Sequence, residues 1–177
     1  MEEQDKQARF EETIMPHLDA GYNLARWLTR NEHDAQDVAQ DAFLRAFKFF
    51  GGFHGGNSRS WLLSIVRNTA YTWLQKNRKP ELATVFDEET HDIEDTSSSP
   101  EALLIKNSDH QEVMRAMEQL PVEFREVMVL RELEGMSYKE IAEMAEVPIG
   151  TVMSRLARAR KQLQQALGQR LQPGVSK

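Results

Sequence analysis

The chain has 177 residues, of which 40% are hydrophobic, so it can form one domain or two small domains with buried cores. It contains no cysteine, which excludes disulfides, thiolate metal sites and cysteine nucleophiles. No segment approaches the ~18 apolar residues of a membrane span. The acidic start MEEQDKQ is unlike a signal peptide, and we therefore expect a cytoplasmic protein.

The net charge of −6 is unevenly distributed along the chain. Residues 1–80 carry 11 basic and 10 acidic groups (+1), residues 81–112 carry 1 and 10 (−9), and residues 113–177 carry 10 and 8 (+2). The two ends of the chain are therefore mildly basic, and the negative net charge comes from the middle segment. Such a distribution is compatible with nucleic-acid binding even though the whole chain is acidic.

The first predicted elements are two helices. Residues 7–30 have helical periodicity, although Pro16 and Gly21 argue against one continuous helix. A second helix is predicted to begin at Asp34, a favourable N-cap residue. Its apolar stripe is Ala35, Val38, Ala39, Ala42, Ala46 and Phe50. Its opposite face is polar and consists of Asp37, Gln40, Asp41, Leu44, Arg45 and Lys48.

A glycine-rich loop and a third helix follow. The segment GGFHGGNS (51–58) is either an ordinary connection or a loop whose backbone approaches a ligand closely. Asn57 or Ser58 is predicted to cap a helix that reaches about Asn77. Aromatic and basic residues alternate on its outer face, as in surfaces that bind unpaired bases, although its tryptophans could equally belong to the core. The core is the favoured location for Trp73.

Residues 81–99 have many carboxylates and little periodicity, which indicates a flexible acidic linker. Helical spacing resumes at Ser99 and Pro100, and four helices are predicted in the remainder of the chain. No segment alternates like a strand. The sequence therefore predicts an all-α protein with two small helical domains, of which the C-terminal one contains a helix-turn-helix.

The helix-turn-helix is predicted for SYKEIAEMAEVPIGTVMSRLARARKQL (137–163). Ser137 and Glu140 form a capping box at the start of its first helix, and Pro148 is suited to the first position of the second. Each helix has an apolar stripe that is predicted to be buried. On the first helix it consists of Tyr138, Ile141, Ala142 and Ala145, and on the second of Val152, Leu156, Ala159 and Leu163. The outward residues of the second helix are Thr151, Ser154, Arg158 and Lys161, with Arg155 on the flank. This arrangement indicates a helix that enters the major groove, and the alternative is a plain hairpin with a basic face.

The sequence gives little support to an enzymatic function. His33 and Asp34 resemble the metal-binding dyad of HD phosphohydrolases, but the other histidines do not complete such a site. We therefore expect no catalytic residues, no metal and no cofactor.

Three stretches in order resemble the extracytoplasmic-function (ECF) group of bacterial sigma-70 factors. HDAQDVAQDAFLRAF (33–47) is similar to the region 2 helix that binds the β′ clamp helices of RNA polymerase. FHGGNSRSWLLSIVRNTAYTWLQKNRK (53–79) resembles the part that opens and reads the −10 element, and residues 120–163 resemble region 4, which reads the −35 element. The resemblance spans almost the whole chain.

The resemblance implies a function for each segment. Residues 1–80 would bind core polymerase and the −10 element, residues 81–99 would be the linker, and residues 100–177 would bind the −35 element. Core polymerase, through its β′ and β subunits, promoter DNA and an anti-sigma factor are the implied partners. The implied core-polymerase contacts are Asp37, Gln40, Asp41, Phe43, Leu44 and Arg45. The implied −10 contacts are Asn57, Ser58, Arg59, Arg67, Asn68, Tyr71, Lys76, Arg78 and Lys79, and the implied −35 contacts are Thr151, Ser154, Arg155, Arg158 and Lys161.

Two features depart from the family pattern. Met153 stands where many relatives have a basic residue, and the segment 81–99 is long and acidic. Its carboxylates either mimic nucleic-acid phosphates inside polymerase or belong to a solvated tether. The main alternative hypothesis is that the protein is a transcriptional activator with a LuxR-like helix-turn-helix, but this hypothesis does not account for residues 33–79. The sequence therefore predicts a sigma factor.

Overall fold

The computed structural model describes residues 2–77 and 110–171. The predicted linker (81–99) and the predicted helix start at Ser99 and Pro100 lie outside these described residues. The chain divides into two compact units, with the division between Lys79 and Pro80. The described residues form helices, turns and loops, which confirms the prediction of an all-α chain with two helical domains.

Residues 2–77 of the N-terminal unit contain four α-helices. They are α1 (Glu2–Thr13), α2 (Leu18–Thr29), α3 (Glu32–Lys48) and α4 (Ser58–Asn77). Pro16 lies in a 3-10 turn that separates α1 from α2, as its missing N–H and fixed φ favour. Gly21, in contrast, does not interrupt α2.

Gly21 allows the other helices to approach α2 closely. A Cβ atom at this position would lie 3.1 Å from the Phe43 ring on α3 and 3.3 Å from Val66 on α4. Both distances are shorter than ordinary van der Waals contact. Gly21 therefore fits the close packing of α2 against α3 and α4, where a larger residue would require the Phe43 and Val66 side chains to shift by a few tenths of an ångström.

The start of α3 corrects the predicted N-cap. Asn31, rather than Asp34, has the extended backbone of an N-cap, and its Oδ1 accepts a hydrogen bond of 2.9 Å from the Asp34 N–H. The helix therefore begins at Glu32, and Asp34 lies in its first turn, where a carboxylate is favourable. The predicted stripe is buried as expected. It consists of Ala35, Val38, Ala39, Ala42, Ala46 and, in the following 3-10 turn, Phe50.

An aromatic cluster anchors the loop between α3 and α4. The Phe50 ring lies edge-on to Phe10, at 5.4 Å between centroids, and 6.2 Å from Trp61. Phe53 lies 5.1 Å from Trp61. Each such pair contributes about 0.5–1.5 kcal/mol beyond its buried area. Trp61 is therefore half-buried against Phe50 and Phe53, and these contacts hold the first residues of the loop.

Helix α4 confirms one predicted cap and corrects part of the predicted core. Asn57 Oδ1 accepts a 3.0 Å hydrogen bond from the Ser60 N–H, and the helix ends at Asn77 as expected. Trp73 is only half-buried, whereas Leu74 is completely buried. The helix turns its buried stripe toward Leu74 because α2 and α3 pack along that side.

In the C-terminal unit the described residues also form four helices. They are α5 (His110–Glu118), α6 (Val122–Met128), α7 (Tyr138–Ala145) and α8 (Ile149–Leu171), and a π-helical turn (Val129–Leu133) follows α6. The guanidinium of Arg125 is fully buried and donates to the carbonyl oxygens of Leu120, at 2.6 Å, and Glu118, at 3.4 Å. Arg125 thus satisfies carbonyl groups at the end of α5 that lack helical partners.

Helices α7 and α8 form the predicted helix-turn-helix. The capping box is present, with Ser137 Oγ accepting from Glu140 N–H and Glu140 Oε1 accepting from Ser137 N–H, both at 3.0 Å. Glu146 ends α7 in the left-handed conformation, at φ 60°. Helix α8 begins at Ile149, so Pro148 precedes the helix instead of occupying its first position. Tyr138 is half-buried beneath the Arg131 guanidinium, and its predicted full burial was wrong.

Candidate polymerase and nucleic-acid interfaces

Helix α3 presents a continuous polar face on the side opposite its buried stripe. Asp37, Gln40, Asp41, Leu44 and Arg45 are all exposed on this face, which we call the α3 surface. Leu44 is 65% exposed, an unusual state for a leucine, and Asp41 pairs with Arg45 at 3.3 Å. A solvated ion pair beside an exposed leucine is suited to binding a protein partner.

Phe43 differs from the other residues assigned to polymerase binding. Its ring packs against Gly21 inside the unit and is only partly exposed. Together with Leu44 it lines an open apolar groove of about 580 Å³ beside the α3 surface. Phe10 and Met15 line the same groove, and the sequence analysis did not identify them because they lie on elements distant in the chain.

The glycine-rich loop forms the second candidate site. Gly55 and Gly56 have φ values of 99° and 91°, which glycine adopts without strain. An open cavity of about 590 Å³ adjoins them, and it is lined by Arg9, Thr13, Phe50, Phe53, His54, Gly55, Gly56 and Ser58. Ser58 Oγ lies 3.1 Å from Nε2 of His17. Arg9 and His17 were not predicted, because they are more than 30 residues from the loop in sequence.

The residues assigned to −10 DNA form two groups on α4. Asn57, Ser58 and Arg59 lie at its start, and Arg67, Asn68 and Tyr71 lie about 12 Å farther along the helix axis.

In the second group, the Arg67 guanidinium stacks over the Tyr71 ring at 4.3 Å and donates to Asn68 Oδ1 at 3.4 Å. Lys76 is exposed on another side of the helix, about 180° from Arg67. Arg78 and Lys79 lie outside the described residues.

Helix α8 carries the residues assigned to −35 DNA. Val152, Leu156, Ala159 and Leu163 are buried, so the predicted orientation of the helix is confirmed. Arg158 and Lys161 are exposed, and Thr151 and Ser154 are half-buried beside them. These four side chains share a polar ridge of cations and hydroxyl groups.

Arg155 lies on the flank of this ridge in an ion pair. Its Nη2 is 3.0 Å from Oε1 of Glu123 on α6, and both side chains are half-buried. A second interhelical pair joins Arg160 to Glu132, also at 3.0 Å. The sequence analysis missed both acidic partners, since no local pattern connects residues that are about 30 positions apart.

The residues considered for an enzymatic site lie on α3. His33 is exposed, and Asp34 is half-buried in the first turn of the helix. Within residues 2–77 and 110–171, no group of three or more His, Cys, Asp or Glu side chains could hold a metal ion. In the same ranges, no helix has the length and apolarity needed to cross a membrane.

A helix-turn-helix with a basic outer face is typical of a DNA-binding transcription factor. Comparison with known families makes this class more specific. The model described as Sigma-70 region 2 matches residues 13–79, and that described as Sigma-70, region 4, matches residues 110–163.

Characterised proteins with similar sequences are sigma factors. The chain is 38% identical over 151 residues to the RNA polymerase sigma-H factor of Pseudomonas aeruginosa, covering 79% of this chain and 78% of that protein. It is 37% identical over 147 residues to the ECF RNA polymerase sigma-E factor of Escherichia coli K12, covering 79% and 75% respectively.

Two solved structures are also similar. Sigma factor RpoE in complex with the anti-sigma factor NepR, from Bartonella quintana, matches with a TM-score of 0.69 and 27% identity, over 96% of this chain and 99% of that one. CnrH in complex with the cytosolic domain of CnrY matches with a TM-score of 0.64 and 26% identity, over 92% and 89%.

The chain belongs to the sigma-70 family of RNA polymerase factors, within its ECF group. It therefore binds core RNA polymerase and directs promoter-specific initiation of transcription. The matches to both sigma regions do not favour the activator alternative.

Proposed function

We propose that the two units recognise different promoter elements. Residues 1–80 bind core polymerase and recognise and open the −10 element, and residues 100–177 bind the −35 element through α8. The observation that carries this proposal is the orientation of α8. Its apolar stripe is buried and its polar ridge faces outward, as a helix in the major groove requires.

The α3 surface is the proposed contact with core polymerase. The exposure of Leu44 beside the Asp41–Arg45 pair supports this assignment, because protein interfaces combine an apolar anchor with a polar rim. Phe43 contributes through the adjoining groove.

The glycine-rich loop and the outer face of α4 are the proposed contact with −10 DNA. An extruded base of the non-template strand occupies the cavity beside Gly55 and Gly56, near Asn57, Ser58 and Arg59. The stacked pair of Arg67 and Tyr71 supports a role in holding the separated strand, because such rings stack on bases while the cation attracts the phosphates.

An anti-sigma protein is the proposed regulator. Both similar solved structures are complexes, one of them with an anti-sigma factor. A protein that covers the α3 surface would compete directly with polymerase. We further expect the protein to act in the cytoplasm, where polymerase is located, and to have no enzymatic activity and no cofactor of its own.

Run-off transcription with purified core polymerase tests the proposal. We expect this protein, as the only added factor, to produce promoter-specific transcripts. Double substitution of Ser154 and Arg158 by alanine should remove dependence on the −35 element, and circular dichroism should show an unchanged helical content. If transcripts appear only when another sigma factor is present, the protein is an activator and the proposed division of promoter recognition is wrong.

A further inference from the structure

An apolar strip runs along one edge of α8, beside its polar ridge. Ile149 is 47% exposed and Met153 is 44% exposed, and they are two of the six large hydrophobic side chains exposed in the described parts of the chain. They stand four residues apart and therefore share a face of the first two turns. Ala157, four residues farther on, continues the strip.

The strip lies between the buried stripe and the polar ridge. At about 100° per residue, Met153 lies about 100° from Ser154 around the helix and on the side opposite Arg155. Gly150 lies between the strip and the ridge, and a Cβ there would meet no atom within 4 Å, so this part of the surface is open. From Val147 to Gly168 the chain has no acidic residue and four basic ones, which favours contact of α8 with DNA. Ile149 itself borders a groove that Lys139, Glu143 and Glu146 of α7 also line.

We propose that Met153, with Ile149 beside it, reads a thymine methyl group in the −35 element. This inference rests on the proposed function of α8. The N-terminal residues of a recognition helix contact base edges, and thymine alone among the four bases presents a methyl group in the major groove. A basic side chain at position 153 would be attracted to phosphates or guanine. The exposed thioether of Met153, beside Ile149, instead gains binding free energy when it buries a thymine methyl group. Met153 is therefore a specificity-determining residue.

The test uses the holoenzyme assembled from core polymerase and the full chain. Run-off selection from a promoter library randomised through both elements first gives the preferred −35 sequence. Each thymine of that sequence is then replaced by deoxyuridine, which lacks only the methyl group. We expect one such position to lower initiation about fourfold, the factor that corresponds to burying one methyl group.

Two variants identify the side chain responsible. In the Met153→Ala holoenzyme we expect thymine and deoxyuridine templates to be used equally well. In the Met153→Lys holoenzyme the discrimination between thymine and deoxyuridine should also disappear. The slope of the logarithm of the promoter-binding constant against the logarithm of salt concentration should become steeper by about one, because the lysine adds a phosphate contact. Leu133→Ala is the control, because Leu133 is 49% exposed in the same unit but does not lie on α8, and discrimination should persist.

The outcomes separate the two proposals. If no −35 preference emerges, or if the Ser154 and Arg158 variants do not change it, the proposed function of α8 is wrong. If a preference exists but deoxyuridine has no effect, the thymine-methyl inference fails alone. If Met153→Ala lowers initiation equally on both templates, Met153 contacts protein instead of DNA, and the inference is also overturned.

Discussion

At the level of single residues, Arg155 and Arg158 occupy different environments although both were assigned to DNA. Arg158 is exposed, whereas Arg155 is half-buried beside Glu123. Pairs of this kind contribute up to about 1 kcal/mol to stability, and a good base contact gives about 1–3 kcal/mol of discrimination. The two arginines therefore have separable roles.

We predict that Arg158→Ala lowers −35-dependent initiation about tenfold, which corresponds to the loss of a good base contact. Arg155→Ala should lower both initiation and stability, because it also breaks the ion pair. Glu123→Gln retains Arg155 and its hydrogen-bonding partner, so its effect on initiation should be smaller. Thermal melting and run-off assays on the three variants check this prediction, and equal transcription by all of them would remove both arginines from the interface.

Arg125 provides a prediction about stability alone. Its substitution by alanine removes charged hydrogen bonds to the carbonyls of Leu120 and Glu118 and leaves a cavity. We expect a loss of about 3 kcal/mol or more in the free energy of unfolding. Urea denaturation measures this loss. A change below about 1 kcal/mol would mean that water replaces the guanidinium at this site.

At the level of elements, the α3 surface can be tested without disturbing its helix. Asp41→Lys combined with Leu44→Ala should strongly weaken association with core polymerase, because both side chains point away from the buried stripe. Helical content should remain unchanged. Phe49→Ala is the matched control, since Phe49 is 57% exposed but lies beyond the end of α3. Co-purification with core polymerase is the measurement, and retention of the double variant at the level of the control would contradict the assignment.

The helices were predictable from the sequence where local chemistry determines them. The stripe of α3, the capping box at Ser137 and the orientation of α8 each depend on residues within one or two turns, and each was predicted correctly. The start of α3 was misplaced because Asn31 and Asp34 are both good caps, and only the backbone conformation distinguishes them.

The residues that contact the candidate sites from other helices could not be predicted in the same way. The contact of His17 with Ser58 joins residues that are 41 positions apart, and the pair of Arg155 with Glu123 joins residues that are 32 apart. Such contacts depend on how helices pack, and neither periodicity nor capping carries that information. Sequence patterns therefore identified the faces of the sites but not their supporting residues.

At the level of the whole molecule, the distribution of charge predicts dependence on polymerase. The two basic regions carry net charges of only +1 and +2, and the whole chain carries −6. We therefore expect the protein alone to bind duplex DNA weakly and to select promoters only within the holoenzyme. Gel-shift titrations of the protein, core polymerase and their mixture on promoter and non-promoter DNA measure this. Tight promoter binding by the protein alone would contradict the prediction.

The close packing at Gly21 links the two functional faces of the N-terminal unit. One glycine touches both Phe43, on the helix proposed to bind polymerase, and Val66, on the helix proposed to bind the opened strand. A single added methyl group would require the Phe43 or Val66 side chain to shift by a few tenths of an ångström, and this shift can alter the packing of α3 or α4. Genetic screens for altered promoter opening should therefore recover changes at Gly21, a position that touches neither DNA nor polymerase, and suppressors of those changes should map to smaller side chains at residues 43 and 66.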